Sequence, residues 1–134
     1  PFTEAIVQNG GTGINWVSEQ YDYDVYGRQI AVIADAGIVG KNLRTEYTYN
    51  NQNEVTMVLN PDNRYKRTER NGRGLVSREI TGIKISENQY EDKAITQFFY
   101  DLNGNLIKKV DPMGVTEIYC YDMKDRMILS RKGK

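Results

Sequence analysis

Apolar and polar residues alternate with a period of two along most of the chain. Tyr21 and Tyr23, Tyr47 and Tyr49, Phe98 and Tyr100, and Tyr119 and Tyr121 place aromatic rings two residues apart. Val55, Met57 and Leu59 alternate in the same way. Successive side chains of a strand point to opposite faces, so each set lies on one face of a β-strand. Aromatic and β-branched residues dominate these segments and Ala is scarce, which is strand composition. No stretch carries the 3.6-residue period of an amphipathic helix. Residues 83–95 are the least regular. Ile83 and Ile85 alternate, residues 86–92 are mostly polar, and Ala94 and Ile95 resume the pattern. This predicts a long hairpin with a polar tip, with a short helical turn as the competing reading. The fold class expected is all-β, an antiparallel meander of hairpins.

The punctuation between strands repeats. Counting Tyr100 as position 0, Gly104 falls at +4, Asp111 and Pro112 at +11 and +12, and Gly114 at +14. Tyr49 is followed by Asn53, Asn60, Pro61 and Asn63 at the same offsets. Tyr23 is followed by Gly27 and Gly37, and Thr68 by Gly72 and Gly82. Tyr121 opens a fifth unit. Positions +4 and +14 hold only Gly, Asn or Asp, residues that tolerate a left-handed backbone. The spacing therefore predicts corners at Gly27, Gly37, Asn53, Asn63, Gly72, Gly82, Gly104 and Gly114, with Asn53 at positive φ. At the first corner of a unit, Asp at +1 and Gly at +4 suit a type I turn with a bulge. At the second, Asp-Pro-x-Gly places Pro where the turn requires φ near −65°. About six residues remain between corners, one average strand. Unit starts are 26, 19, 32 and 21 residues apart, so hairpin length varies while corner chemistry does not. Residues 1–20 carry a weaker echo, with Gly10, Gly11, Thr12 and Gly13 as a turn. They are expected to close a preceding unit, with 21–134 holding four complete units and the start of a fifth, a piece of a longer chain.

This pattern resembles the YD repeat of the RHS (rearrangement hotspot) family, whose unit reads roughly Tyr-x-Tyr-Asp-x-x-Gly-Arg-Leu and then Asp-Pro-x-Gly. Residues 98–114 match closely. Residues 21–28 match the first half, with Ala34 and Asp35 where Asp-Pro is expected, and residues 68–82 lack both the Tyr and the Pro. The resemblance implies a strip of hairpins from the wall of a spiral β-shell. Such shells belong to large bacterial proteins, secreted or cell-surface associated, and enclose or present a C-terminal toxin domain. The implied partners are the remaining repeats and the C-terminal domain of the parent chain, and the competing role is a carbohydrate or cell-surface ligand-binding module. The family's self-cleaving protease motif, Asp-Pro-x-Gly-Leu-x-Gly-Gly, has no counterpart here.

Composition narrows the chemistry. The 134 residues have 18 Lys and Arg against 18 Asp and Glu. A neutral balance does not suit a surface built to neutralise nucleic acid or anionic lipid. No apolar stretch approaches the ~20 residues of a membrane-spanning helix. There is no His and only one Cys, Cys120. That removes His-dependent nucleophilic catalysis, His-ligated metal, an internal disulfide and a Cys-based zinc site. No catalytic, cofactor-binding or metal-binding residue is assigned. Gln20, Asp22 and Asp24 share a face but offer only two carboxylates and no calcium-loop glycine. The recurring Tyr-Asp pairs suit a sugar, yet recur at turn offsets, where Tyr forms cross-strand ladders and Asp caps turns. One basic run, Arg64, Lys66, Arg67, Arg70, Arg73 and Arg78, is the candidate ligand surface, and the simpler reading is a solvated or edge-protecting face. Cys120 is expected to pack as a small hydrophobe and Trp16 to cover an open edge. Unpaired end strands should make the isolated segment self-associate.

Overall fold

The computed structural model describes residues 2–9, 15–36 and 41–134. Among them the fold is all-β and antiparallel, as the alternation predicts, with eleven strands and no helix. The chain divides into two compact units, Pro1–Tyr65 and Lys66–Lys134. In the first, β1 (Phe2–Asn9), β2 (Asn15–Tyr23), β3 (Gln29–Ala34), β4 (Leu43–Tyr49) and β5 (Val55–Leu59) each pair with the next. In the second, β7 (Val76–Ser86), β8 (Gln89–Tyr100), β9 (Leu106–Val110), β10 (Thr116–Tyr121) and β11 (Met127–Gly133) do the same. Strand β6 (Arg64–Arg70) runs across the division.

Few side chains are fully buried. Ala31, Leu59, Tyr65 and Ile80 are the buried apolar residues among those described. The aromatic pairs at 21/23, 47/49, 98/100 and 119/121 are half-buried, whereas Phe99, which points the other way from Phe98, is more exposed. Cross-strand rows, rather than a deep core, shield these rings.

The register slips by one residue beside the first turn of four units, at Asp22/Tyr23, Thr48/Tyr49, Phe99/Tyr100 and Cys120/Tyr121. The repeated Tyr thus stands at a bulge, the partner of a type I turn closed by a left-handed residue. Five of the expected corners have positive φ: Gly27 (82°), Asn53 (64°), Asn63 (67°), Gly104 (86°) and Gly114 (82°). Asp125 (59°) is the corner of the fifth unit.

The unit that opens at Thr68 needs correction. Its left-handed residue is Gly74 (81°), not Gly72. Asn71 opens the turn, so the frame lies two residues later than the Thr68 start implies. Gly82 is no corner either, because β7 runs through it to Ser86 with a slip at Thr81/Gly82. The long hairpin is present, and Ser86 faces Gln89 across a loop of Glu87 and Asn88. Its tip is tighter than the polar stretch suggests, and the helical turn does not form. The corner expected at Gly37, the turn at 10–13 and the side chain of Trp16 lie outside the described residues.

Candidate functional site

One turn recurs at both kinds of corner. It opens on Asp24, Asn50, Asn60, Asn71, Asp101, Asp111 and Asp122. In each, the backbone N–H of the opening residue donates to the carbonyl four residues on, and its carbonyl accepts from the N–H three residues on. For Asp101 these bonds are 2.9 Å to the Asn105 carbonyl and 3.1 Å from the Gly104 N–H. The side chain locks the loop. Asp101 Oδ1 accepts from the N–H groups of Asn103 and Asn105, both at 2.9 Å. Asp24, Asn50, Asn71, Asp111 and Asp122 accept in the same two places. An Asx side chain that bonds two residues ahead mimics a backbone turn, so Asp-x-x-Gly and Asp-Pro-x-Gly are one device.

These bonds set the carboxylate chemistry. The Asn105 N–H holds the Asp101 carboxyl below its ordinary range, and the Arg126 N–H does the same for Asp122. For Asp24, burial pushes upward, and bonds from Arg28 and Tyr26 outweigh it. Carboxylates kept ionised and saturated with donors are poor general acids.

The repeated Tyr is tied down as well. The hydroxyls of Tyr49, Tyr100 and Tyr121 donate to the carbonyls of Gln29, Val76 and Leu106, at 2.6, 2.7 and 2.7 Å. Each acceptor is the first residue of the neighbouring strand. Each Tyr therefore staples its own turn to the hairpin before it. Composition alone does not reveal this bond, yet the repeat carries a trace of it. The turn-adjacent position is Tyr at 23, 49, 100 and 121, whereas the position two earlier accepts Phe98. Two other hydroxyls, those of Tyr21 and Tyr119, donate to the carboxylates of Glu19 and Glu117. That bond is the main cause of the raised Tyr21 and Tyr119 pKa values and of the lowered Glu117 value.

Successive turns are linked within each unit. In the first, Arg28 binds Asp24 of its own turn at 2.7 Å, reaches Asn50 and Asn53 of the next, and lies 4.8 Å from the Tyr49 ring. In the second, Arg73 donates to the carbonyls of Asp101 and Leu102 at 2.7 and 3.1 Å. Asn103 and Asn105 then donate to Asp125.

Each arginine of the basic run has an acceptor close by. Arg64 pairs with Asp62 at 3.6 Å. Arg67 pairs with Glu69 and Asp92, and Arg78 with Glu69. Arg70 donates to the Gly74 carbonyl and Arg73 to the turn described above. Lys66 is exposed. Of the acidic candidates, Asp22 pairs with Arg44 at 2.8 Å and Asp24 caps its turn. Among the described residues, no group of three Cys, Asp or Glu is placed to hold a metal ion. Cys120 is exposed, which corrects the expectation that it packs.

The second unit presents a contrast that the alternation alone does not reveal. The register aligns Phe98, Lys109, Glu117 and Lys132 in one row and Phe99, Lys108, Ile118 and Arg131 in another. Alternation places the two rows on opposite faces. In the first row Glu117 stands between two lysines and pairs with Lys132 at 3.7 Å. The second row has no acid. Its Phe99 and Ile118 are 42% and 47% exposed. Beside Phe99 a hollow of about 330 Å³ is lined by Asn71, Arg73, Ser77, Arg78 and Gln97 together with residues 98–100. No protein-family model and no curated protein sequence matches this chain.

Proposed function

We propose that this chain is a non-catalytic structural segment of the YD-repeat type, part of the wall of a β-shell in a larger bacterial, secreted or cell-surface protein that encloses or presents a toxin domain. One observation carries the reading. The residues that recur from unit to unit are the ones consumed by the fold: the Asx side chains close the turns and the tyrosine hydroxyls staple neighbouring hairpins. A wall needs this repetition, whereas a catalytic or sugar site needs a local break in it with free donors and acceptors. The alternative of a glycan-binding module is weakened by the same bonds, since the Tyr and Asp side chains that a sugar requires are already engaged. Among the described residues no helix is long and apolar enough to cross a membrane.

The test is electron microscopy of the parent polypeptide, paired with hydrolysis assays of this segment on glycosides, peptides and nucleic acids. A hollow shell around a separate domain, with no turnover by the segment, is the expected result. Turnover that vanishes when a single carboxylate is changed, such as Asp22→Asn, overturns the reading.

A further inference from the structure

We propose that the acid-free row of the second unit, with the hollow beside it, is a docking surface for an acidic, apolar polypeptide segment. This stands on surface chemistry and does not depend on the wall reading. Three observations support it. The row interleaves exposed apolar side chains with cations. The Lys108 ammonium lies 5.2 Å from the Phe99 ring, and Ile118 separates it from Arg131. Apolar area of this kind gains by burial. The cations select what covers it, because opposite potentials meet across interfaces.

The opposite face shows what a compensated row looks like. There Glu117 sits between Lys109 and Lys132 and neutralises part of their charge. Nothing on the Phe99 face does so within the row. A second copy of the chain, laid face to face, brings no acid from this row to Lys108 and Arg131 and leaves their charge uncompensated. A nucleic acid would satisfy the cations and leave Phe99 and Ile118 without an apolar partner.

The hollow supplies the third observation. It is lined by Phe98, Phe99 and Tyr100 together with the polar side chains of Asn71, Ser77 and Gln97, and Arg78 on its wall pairs with Glu69 at 2.9 Å. A peptide entering it meets apolar rings beside groups that can hydrogen-bond. An acidic segment with apolar side chains meets these demands: apolar surface for the hollow, Phe99 and Ile118, and negative charge for Lys108 and Arg131.

Fluorescence anisotropy tests this. The probe is a labelled peptide of about 12 residues alternating Glu and Leu, long enough to cross several strands. Its counterpart carries Lys for every Glu. The acidic peptide should bind, more weakly as salt rises, and the basic one should not. Phe99→Ser and Lys108→Glu should each weaken binding by about tenfold or more, with the thermal midpoint of each variant measured beside it to show that it is folded. Glu117→Gln, on the opposite face, should leave affinity unchanged. If Phe99→Ser does not fold, Ile118→Ser is read in its place. Failure of the acidic peptide to bind overturns the proposal. So does equal binding of both peptides, affinity that ignores Phe99→Ser and Ile118→Ser, or a concentration-dependent dimer that Phe99→Ser dissolves.

Discussion

The turn at 71–75 and the turn at 101–105 close with the same backbone bonds, yet their sequences share little. Asn-Gly-Arg-Gly-Leu stands in one and Asp-Leu-Asn-Gly-Asn in the other. Both side chains at the opening position accept from the N–H groups two and four residues on. Both turns place Gly in the left-handed region three residues after the opening, at 81° and 86°. The difference lies in what surrounds the glycine. A Cβ at Gly74 would meet nothing within 4 Å, whereas one at Gly104 would stand 3.3 Å from Arg73 Nη2 and 3.8 Å from Leu75 Cδ1. The two turns are thus equal as local structures and unequal as neighbours. The first reaches over the second through Arg73 and rests on its glycine.

The largest expected effect separates them by that contact. Valine at either position incurs left-handed strain of about 1–3 kcal/mol. Gly104→Val should cost more than Gly74→Val, because Arg73 must also move. Denaturant midpoints measure the difference, and equal shifts would mean that the Arg73 contact contributes nothing. The same comparison made against Asn105→Val should again place Gly104→Val as the more damaging change.

Removal of the staple comes next. Tyr100→Phe deletes the bond to the Val76 carbonyl and should cost about 0.5–1.5 kcal/mol. The staple also carries a pH signature. Burial, with a further push from Glu79, raises the Tyr100 pKa, and the bond from Tyr119 to Glu117 raises that of Tyr119. A phenol raised on folding contributes stability that is fully present below its unfolded pKa, near 10, and lost as pH rises through the folded value. Unfolding monitored from pH 8 to 12 should show this loss, and it should be smaller in Tyr100→Phe.

Charge at the opening position should matter less at neutral pH. Asp101→Asn keeps the Oδ1 acceptor that Asn71 uses in its own turn, so the turn should survive at pH 7. The acid limb should differ. The Asp101 carboxyl is lowered on folding, chiefly by the Asn105 N–H. Its contribution is present above the unfolded pKa, about 3.9, and is lost as pH falls through the folded value. The variant should therefore lose less stability below about pH 4 than the parent. The smallest effect belongs to Gly72→Ala. Gly72 lacks positive φ and has open space around it, so the change should stay within about ±0.5 kcal/mol.

The turn at 71–75 also shows where sequence reading stops. Two glycines two residues apart offer two frames, and the offset from Thr68 selects Gly72. Only the backbone bond from the Gly74 N–H to the Asn71 carbonyl decides for Gly74. At 49–63 and 100–114 a Tyr anchors the count, and every corner there was legible. Gly82 misleads for a related reason: a glycine at the right offset serves equally in a bulge inside a long strand. The candidate ligand residues were less legible still. Alternation puts Arg64, Lys66 and Arg70 on one face of β6 and Arg67 on the other, while Arg73 enters a turn, so nearness along the chain does not by itself say which cations share a face. The Phe99 row was hidden for the opposite reason. Its members come from four strands, and only the register brings them together.

Pairing only between chain neighbours has a further consequence, for the order in which the second unit opens. Where each hairpin leans on the next, stability approaches a sum of nearest-neighbour terms, and unfolding proceeds inward from the least supported end. Every residue of β11 is exposed, whereas β7 contains the fully buried Ile80. Amide protons of β11 should therefore exchange with solvent at a low opening free energy, those of β9 and β10 at intermediate values, and those around Ile80 only on global unfolding. The unit would then behave as a graded fringe rather than as a single all-or-none block.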